Sequence, residues 1–277
     1  MGMITARGLR DGRLLLALLT ALVACLNLVG CATGTAAAGG APKADIVTES
    51  DEPAVRRRAR IRLELAVGYF EEGKTTIALD EVKQALVADP TFAEAYNLRG
   101  LVYMRLSDIP LAEESFRRAL ALKPGDSNVY HNYGWLLCQQ GRYPESMRMF
   151  AQALANPQYG DRPKTLMTEG LCQMRAGQPA AAEDSLAKSY ELDAGNPITG
   201  YNLSSLMFKR GELVRAQFYI RRLNNSELAN AQSLWLGIKI ERKLNNREAV
   251  QQLASQLRKR FPQSPELASY DHGAFDE

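Results

Sequence analysis

The chain has 277 residues, with 34 Lys and Arg against 31 Asp and Glu, 4 Cys and only 2 His. A net charge of +3 over that length provides no clustered basic surface of the kind nucleic acid requires. The two His, the absence of any CxxC pair, and the lack of an HExxH or Gly-rich phosphate loop leave metal-dependent and nucleotide-dependent chemistry without residues to start from.

The first segment is a leader. Arg7, Arg10 and Arg13 precede an uncharged apolar run from Leu14 to Ala24, which is short for a membrane span and of the right length for a secretory signal. It ends in LVGC, Leu28 to Cys31, which resembles a bacterial lipobox. The resemblance implies cleavage before Cys31 and acylation of that residue. Because Ala32 rather than aspartate follows, it also implies an anchor in the outer membrane on its periplasmic face. LVAC, ending at Cys25, is a rival; the loose linker ATGTAAAGGAPKAD begins directly after Cys31, and cleavage at Cys25 would leave an apolar LNLVG on the mature chain. Each buried acyl methylene adds about 0.8 kcal/mol, so several chains on one cysteine make a firm tether. Removing residues 1–30 takes away three arginines and Asp11 and leaves a net charge of about +1. The organisation read from this is a signal peptide over 1–30, a flexible linker over 31–54, a repeat array over 55–263 and a C-terminal tail over 264–277.

The array announces itself by a small residue that returns at Ala78, Ala112, Ser146, Ala182, Ala216 and Ala249, at separations of 34, 34, 36, 34 and 33 residues. A period near 34 is that of tetratricopeptide (TPR) repeats, each a pair of antiparallel helices. The expected fold is therefore all-α, a right-handed superhelical TPR solenoid of about six repeats, in which stacking buries a face that no single repeat can bury. Repeats begin near Ala59, Ala93, Ser127, Pro163, Pro197 and Asn230, the last one worn. Gly73, Gly141, Gly177 and Gly211 fall between paired helices, where the turn favours positive φ. The basic run Arg56, Arg57, Arg58, Arg60 and Arg62 reads as the solvated start of the first helix, and Glu113 and Glu114 as the wet face of another. The two-residue slip around Asn156–Pro163 predicts a longer loop.

First helices line the concave face of such an array. The groove positions are Leu63, Val67 and Phe70 in repeat one, Asn97, Leu101 and Met104 in repeat two, and His131 and Trp135 in repeat three. Repeats four and five add Met167, Leu171 and Met174, then Tyr201 and Phe208. This apolar lining with a few polar points suits an amphipathic helix or extended apolar segment of a partner protein. A carboxylate clamp is incomplete: Asn132 and Lys164 are suitably placed, but Asn97, Leu101 and Thr168 stand where other polar or basic residues are needed. Cys138 and Cys172 lie late in the first helices of adjacent repeats, which leaves open a disulfide, favoured by export to an oxidising compartment, or two buried thiols.

Three segments resemble the type IV pilus biogenesis and stability lipoproteins, the PilF/PilW family: YHNYGWLLCQQGRY at Tyr130–Tyr143, GLCQMRAGQ at Gly170–Gln178, and RFPQSPE at Arg260–Glu266. The resemblance extends over nearly the whole mature chain. It implies a non-enzymatic, cofactor-free outer-membrane lipoprotein, a pilotin that binds the pilus secretin and promotes its localisation and multimerisation. It also implies that Cys138 and Cys172 are the family's disulfide pair. A general periplasmic scaffold for envelope assembly is the alternative.

Overall fold

The computed structural model describes residues 51–275. The leader, Cys25 and Cys31, and the linker up to residue 50 lie outside the described residues. Among the described residues there are thirteen helices and no strand. Twelve form six antiparallel pairs: α1 (Ala54–Glu71) with α2 (Thr75–Ala88), α3 (Ala93–Arg105) with α4 (Ile109–Leu122), and α5 (Ser127–Gln139) with α6 (Tyr143–Leu154). They continue with α7 (Arg162–Arg175) and α8 (Pro179–Leu192), α9 (Pro197–Lys209) and α10 (Leu213–Asn224), and α11 (Ala231–Lys243) and α12 (Arg247–Arg260). No helix among them is long and apolar enough to cross a membrane.

The periodic small residue sets how closely the paired helices approach. Ala78, Ala112, Ser146, Ala182 and Ala216 are wholly buried. Four residues after each comes a large apolar side chain, from Val82 through Phe116, Phe150 and Leu186 to Ile220, and all five are buried. Each such burial contributes about 1.5–3 kcal/mol. The facing helix makes room with glycine: a Cβ on Gly100 would lie 2.5 Å from the Phe116 ring, one on Gly134 2.8 Å from Phe150, and one on Gly170 2.6 Å from Leu186. Ser146 replaces the usual alanine without leaving a polar group stranded, because its hydroxyl donates to the Gly134 carbonyl at 2.7 Å.

The helix boundaries follow from local chemistry. Asp126 accepts from the Asn128 and Val129 amides, Asn196 from those of Ile198 and Thr199, and Asn230 and Ser233 form a capping box. Pro144, Pro163, Pro179 and Pro197 sit in first turns, where a missing N–H costs nothing. The turns between paired helices share one left-handed residue. It is glycine at four of them, as expected, but Ser107 (φ 62°) in repeat two and Asn245 (φ 59°) in repeat six.

Three expectations change. The arginine run is not simply solvated: Arg56 pairs with Asp89 and stacks 4.5 Å over Phe92, while Arg62 pairs with Glu81 at 2.9 Å. Glu113 is not on a wet face. It accepts from Tyr133 Oη at 2.7 Å and from Arg142 at 2.9 Å, and pairs with Arg117, bridging repeats two and three. Burial pushes its carboxyl pKa up, but these donors and cations outweigh burial and hold it below the usual value.

The third change concerns the stretch 264–277, expected to be a tail. It contains α13 (Pro265–Asp271), started by a Ser264 cap that accepts from the Leu267 amide at 3.2 Å. Leu267 is buried, and Tyr270 and Phe275 pack with it against Leu234, Ile238 and Leu257 of the last pair. The apolar face left by α11 and α12 is what holds this short helix in place.

Candidate functional site

The candidate site is the face made by the first helices, α1, α3, α5, α7, α9 and α11, which is the concave side in arrays of this kind. Most groove positions read from the sequence are half-buried here, with one flank on the core and the other open. Leu63, Phe70 and Leu101 rest on the Ala66–Val82–Val102 cluster, and Met104 on the cluster around Phe116. Met167, Met174, Tyr201 and Phe208 rest on the cluster around Leu203 and Met207. Leu171 is half-buried too, and Val67 is 39 % exposed. Asn97 accepts from Asn132 Nδ2 at 3.0 Å, a polar tie between α3 and α5.

His131 is the exception and is corrected. It is 6 % exposed and belongs to the interior. Its Nδ1 lies 2.9 Å from Thr165 Oγ1, and Thr165 donates its one hydroxyl proton to Tyr159 Oη at 3.3 Å, so the imidazole is the donor in the first contact. Tyr159 comes from the longer loop at the two-residue slip, which folds back and buries this tyrosine over the starts of α5 and α7. Burial, with help from the Lys164 charge, depresses the His131 pKa to about 4.

The same two helices are joined covalently by the Cys138–Cys172 disulfide, with Cα atoms 5.9 Å apart. Both cysteines are buried beside Phe150, and Trp135 and Met147 pack around them. Trp135 is thereby a groove side chain mounted on a crosslinked base.

Sequence reasoning missed the cations that cover the groove aromatics. Arg105 lies 3.6 Å from the Phe70 ring centroid and donates to the Phe70 carbonyl. Arg175 lies 4.8 Å over Trp135, and Lys243 4.9 Å over Phe208. In each case the cation ends the first helix of the following repeat and the aromatic belongs to the repeat before. The signal was available as a basic residue at the end of α3, α7 and α11, one repeat after an aromatic. Such contacts contribute about 0.5–1 kcal/mol at exposed sites. The face is thus an apolar floor with a cationic edge, more polar than the lining alone implied. Among the described residues no three His, Cys, Asp or Glu side chains gather in a way that would hold a metal ion.

A stack of six helix pairs whose first-helix face carries half-exposed aliphatic and aromatic side chains is a protein-binding TPR scaffold. Tetratricopeptide repeat families match residues 91–158 and 133–197. The solved structure of PilW, a widely conserved type IV pilus biogenesis factor, is 32 % identical, with a TM-score of 0.67, and the match covers 76 % of this chain and 97 % of PilW. The PilF structure from Pseudomonas aeruginosa is 27 % identical with a TM-score of 0.72, over 80 % of this chain and all of that one. In sequence, the type IV pilus assembly protein PilF of Pseudomonas aeruginosa is 29 % identical over 208 residues, 75 % of this chain and 82 % of PilF. The chain belongs to the PilF/PilW family of TPR proteins of type IV pilus biogenesis.

Proposed function

We propose that the chain is a pilotin: a lipoprotein anchored in the outer membrane through Cys31, facing the periplasm, that holds a segment of the type IV pilus secretin on its first-helix face while the secretin travels to the membrane and assembles into its ring. The observation that carries this reading is the row of half-exposed groove side chains, Phe70, Leu101, Met104, Trp135, Leu171 and Met174, in a chain of this family. Half-exposed apolar side chains of this kind suit an amphipathic or extended apolar segment, and the arginines beside Phe70 and Trp135 add specificity for carbonyls or acids on the partner. The scaffold acts by binding alone, without a catalytic step or a cofactor.

Two experiments test it. Cys31→Ser is expected to leave secretin monomers mislocalised, and a normal secretin ring in that strain would defeat the reading. Leu101→Glu together with Trp135→Ala is expected to weaken secretin binding about 10- to 100-fold, because both side chains lie on the proposed contact row. If the double variant still captures secretin at full strength, or the wild type recovers cell-wall enzymes and no secretin, a general envelope scaffold is the better description.

A further inference from the structure

The second helices of repeats five and six break the period in a way that folding does not call for. Eight residues after each small residue the array carries Leu86, Leu120, Leu154, Tyr190, Asn224 and Leu257, so repeat five alone has a carboxamide there. One residue earlier, the series Ala85, Ala119, Ala153, Ser189 and Leu223 ends in Gln256. Asn224 is 4 % exposed. Its Nδ2 donates to the Ser233 carbonyl at 3.0 Å, in the first turn of α11, which fixes the orientation of the amide. Oδ1 is left buried without a hydrogen-bond partner. An amide oxygen in that state destabilises the fold, whereas the leucine of other repeats has no polar atom to strand. Asn224 stands where two pockets meet. One, of about 230 Å³, lies between α10 and α12 over Gly237 and Glu241 of α11; the other, of about 480 Å³, lies between Asn225–Glu227 of the loop and Gln256 and Arg260 of α12. Asn224, Asn225 and Gln256 line both, and Gln252 adds a fourth carboxamide to the inner one. Charge does not dominate here. The outer pocket has one acid, Glu227, and one base, Arg260, and in the inner one Glu241 is taken up by Arg221, Gln217 and Asn246. Neither pocket is lined by an aromatic ring on which a sugar or a base could stack.

We propose that this slot receives the side-chain amide of a glutamine or asparagine from an extended segment of a partner protein. The amide N–H donates to Asn224 Oδ1, and the Gln256 carboxamide, with a donor and an acceptor of its own, closes on the other edge. Gln252 is exposed and Gln256 half-exposed, so both give way to admit the incoming group. A carboxamide is matched because it carries donor and acceptor side by side, as the lining groups do. A carboxylate has no proton to give Asn224, and an aliphatic side chain would leave that oxygen stranded as before. The slot belongs to the second helices of repeats five and six, so it goes beyond the pilotin reading of the first-helix face and stands independently of it.

The test uses the full chain, isotopically labelled in its asparagine side chains, and three peptides that differ only at one residue of similar shape: acetyl-SGSQSG-amide, acetyl-SGSESG-amide and acetyl-SGSMSG-amide. The glutamine peptide is expected to move the Asn224 side-chain signal and to bind about tenfold more tightly than the other two. Asn224→Leu should abolish that binding. Gln256→Ala, which restores the residue type of the earlier repeats on a half-exposed side chain, should weaken it about fivefold and leave the melting temperature unchanged. Equal binding of the three peptides, an Asn224 signal unmoved at millimolar peptide, or full binding in Gln256→Ala would each overturn the proposal. So would displacement of the peptide by diacetylchitobiose, whose acetamido groups carry the same N–H and C=O and would give the slot to a glycan. The groove variant Leu101→Glu, Trp135→Ala should bind the glutamine peptide as the wild type does; a parallel loss would put the peptide on the first-helix face and defeat this site, while failure of secretin capture alone leaves it standing.

Discussion

Repeats three and four and repeats five and six are built on the same period but are fastened differently. In the middle of the array α5 and α7 share a disulfide and a buried His131–Thr165–Tyr159 chain, and the loop leading into α7 runs over residues 155–161, longer than the other loops between repeats. At the C-terminal end α9 and α11 share no crosslink; repeats five and six are joined by apolar packing, by lysines over aromatic rings and by the buried Glu241, which accepts from Arg221 at 2.8 Å and Gln217 at 2.9 Å, with α13 laid across the last pair. The covalent crosslink therefore sits where the period slips, and polar ties and apolar packing join the repeats on either side of it. Trp135 thus stands on a crosslinked base, and Phe208 and Trp235 on non-covalent contacts.

The largest expected effect falls on the middle. Replacing Cys138 and Cys172 by serine should cost about 3–4 kcal/mol on the chain-entropy estimate for a separation of 34 residues, read as a lower urea midpoint. Labelling of both cysteines in the denatured, unreduced protein would show instead that no bond contributes. At the other end, Leu267→Ala should cost about 2–3 kcal/mol. It should speed amide exchange in α12 while leaving α5 and α7 protected; a uniform loss would mean that the two regions are one cooperative unit. Acid should again single out the middle. The folded His131 pKa, about 4, lies below its unfolded value, so the unfolded chain takes up the proton first and stability falls as pH drops through 6.5 towards 4. The loss should be roughly 2 kcal/mol at pH 5, and His131→Gln should flatten that slope. The smallest effect is a gain: Ser107→Gly relieves a left-handed serine and should stabilise by about 0.5–1 kcal/mol, with Asn245→Gly giving less because asparagine tolerates that conformation.

Much of this fold was legible because the signals repeat. The small residue, the large one four positions on, and the turn glycine recur in phase, and each is a local requirement of a close helix pair. What was not legible depends on residues that do not recur. His131 occupies a groove position in the period, yet a tyrosine from an inserted loop buries it. The cations over Phe70 and Trp135 arrive from 35 and 40 residues away, a distance that matters only after the repeats stack. The cap α13 carried a start signal in Ser264, Pro265 and Glu266, but it is seven residues long and has no partner in the repeat pattern, so its segment reads as a tail.

That cap also bears on how copies of the chain behave together. A stack of like units has two unlike ends, and a bare last face would accept the first face of another molecule, then another, a head-to-tail contact that grows into filaments because it never closes. By burying Leu267 against Leu257 and Ile238 and turning Ala268 and Asp271 outward, the seven residues of α13 cover that apolar face with a more polar one.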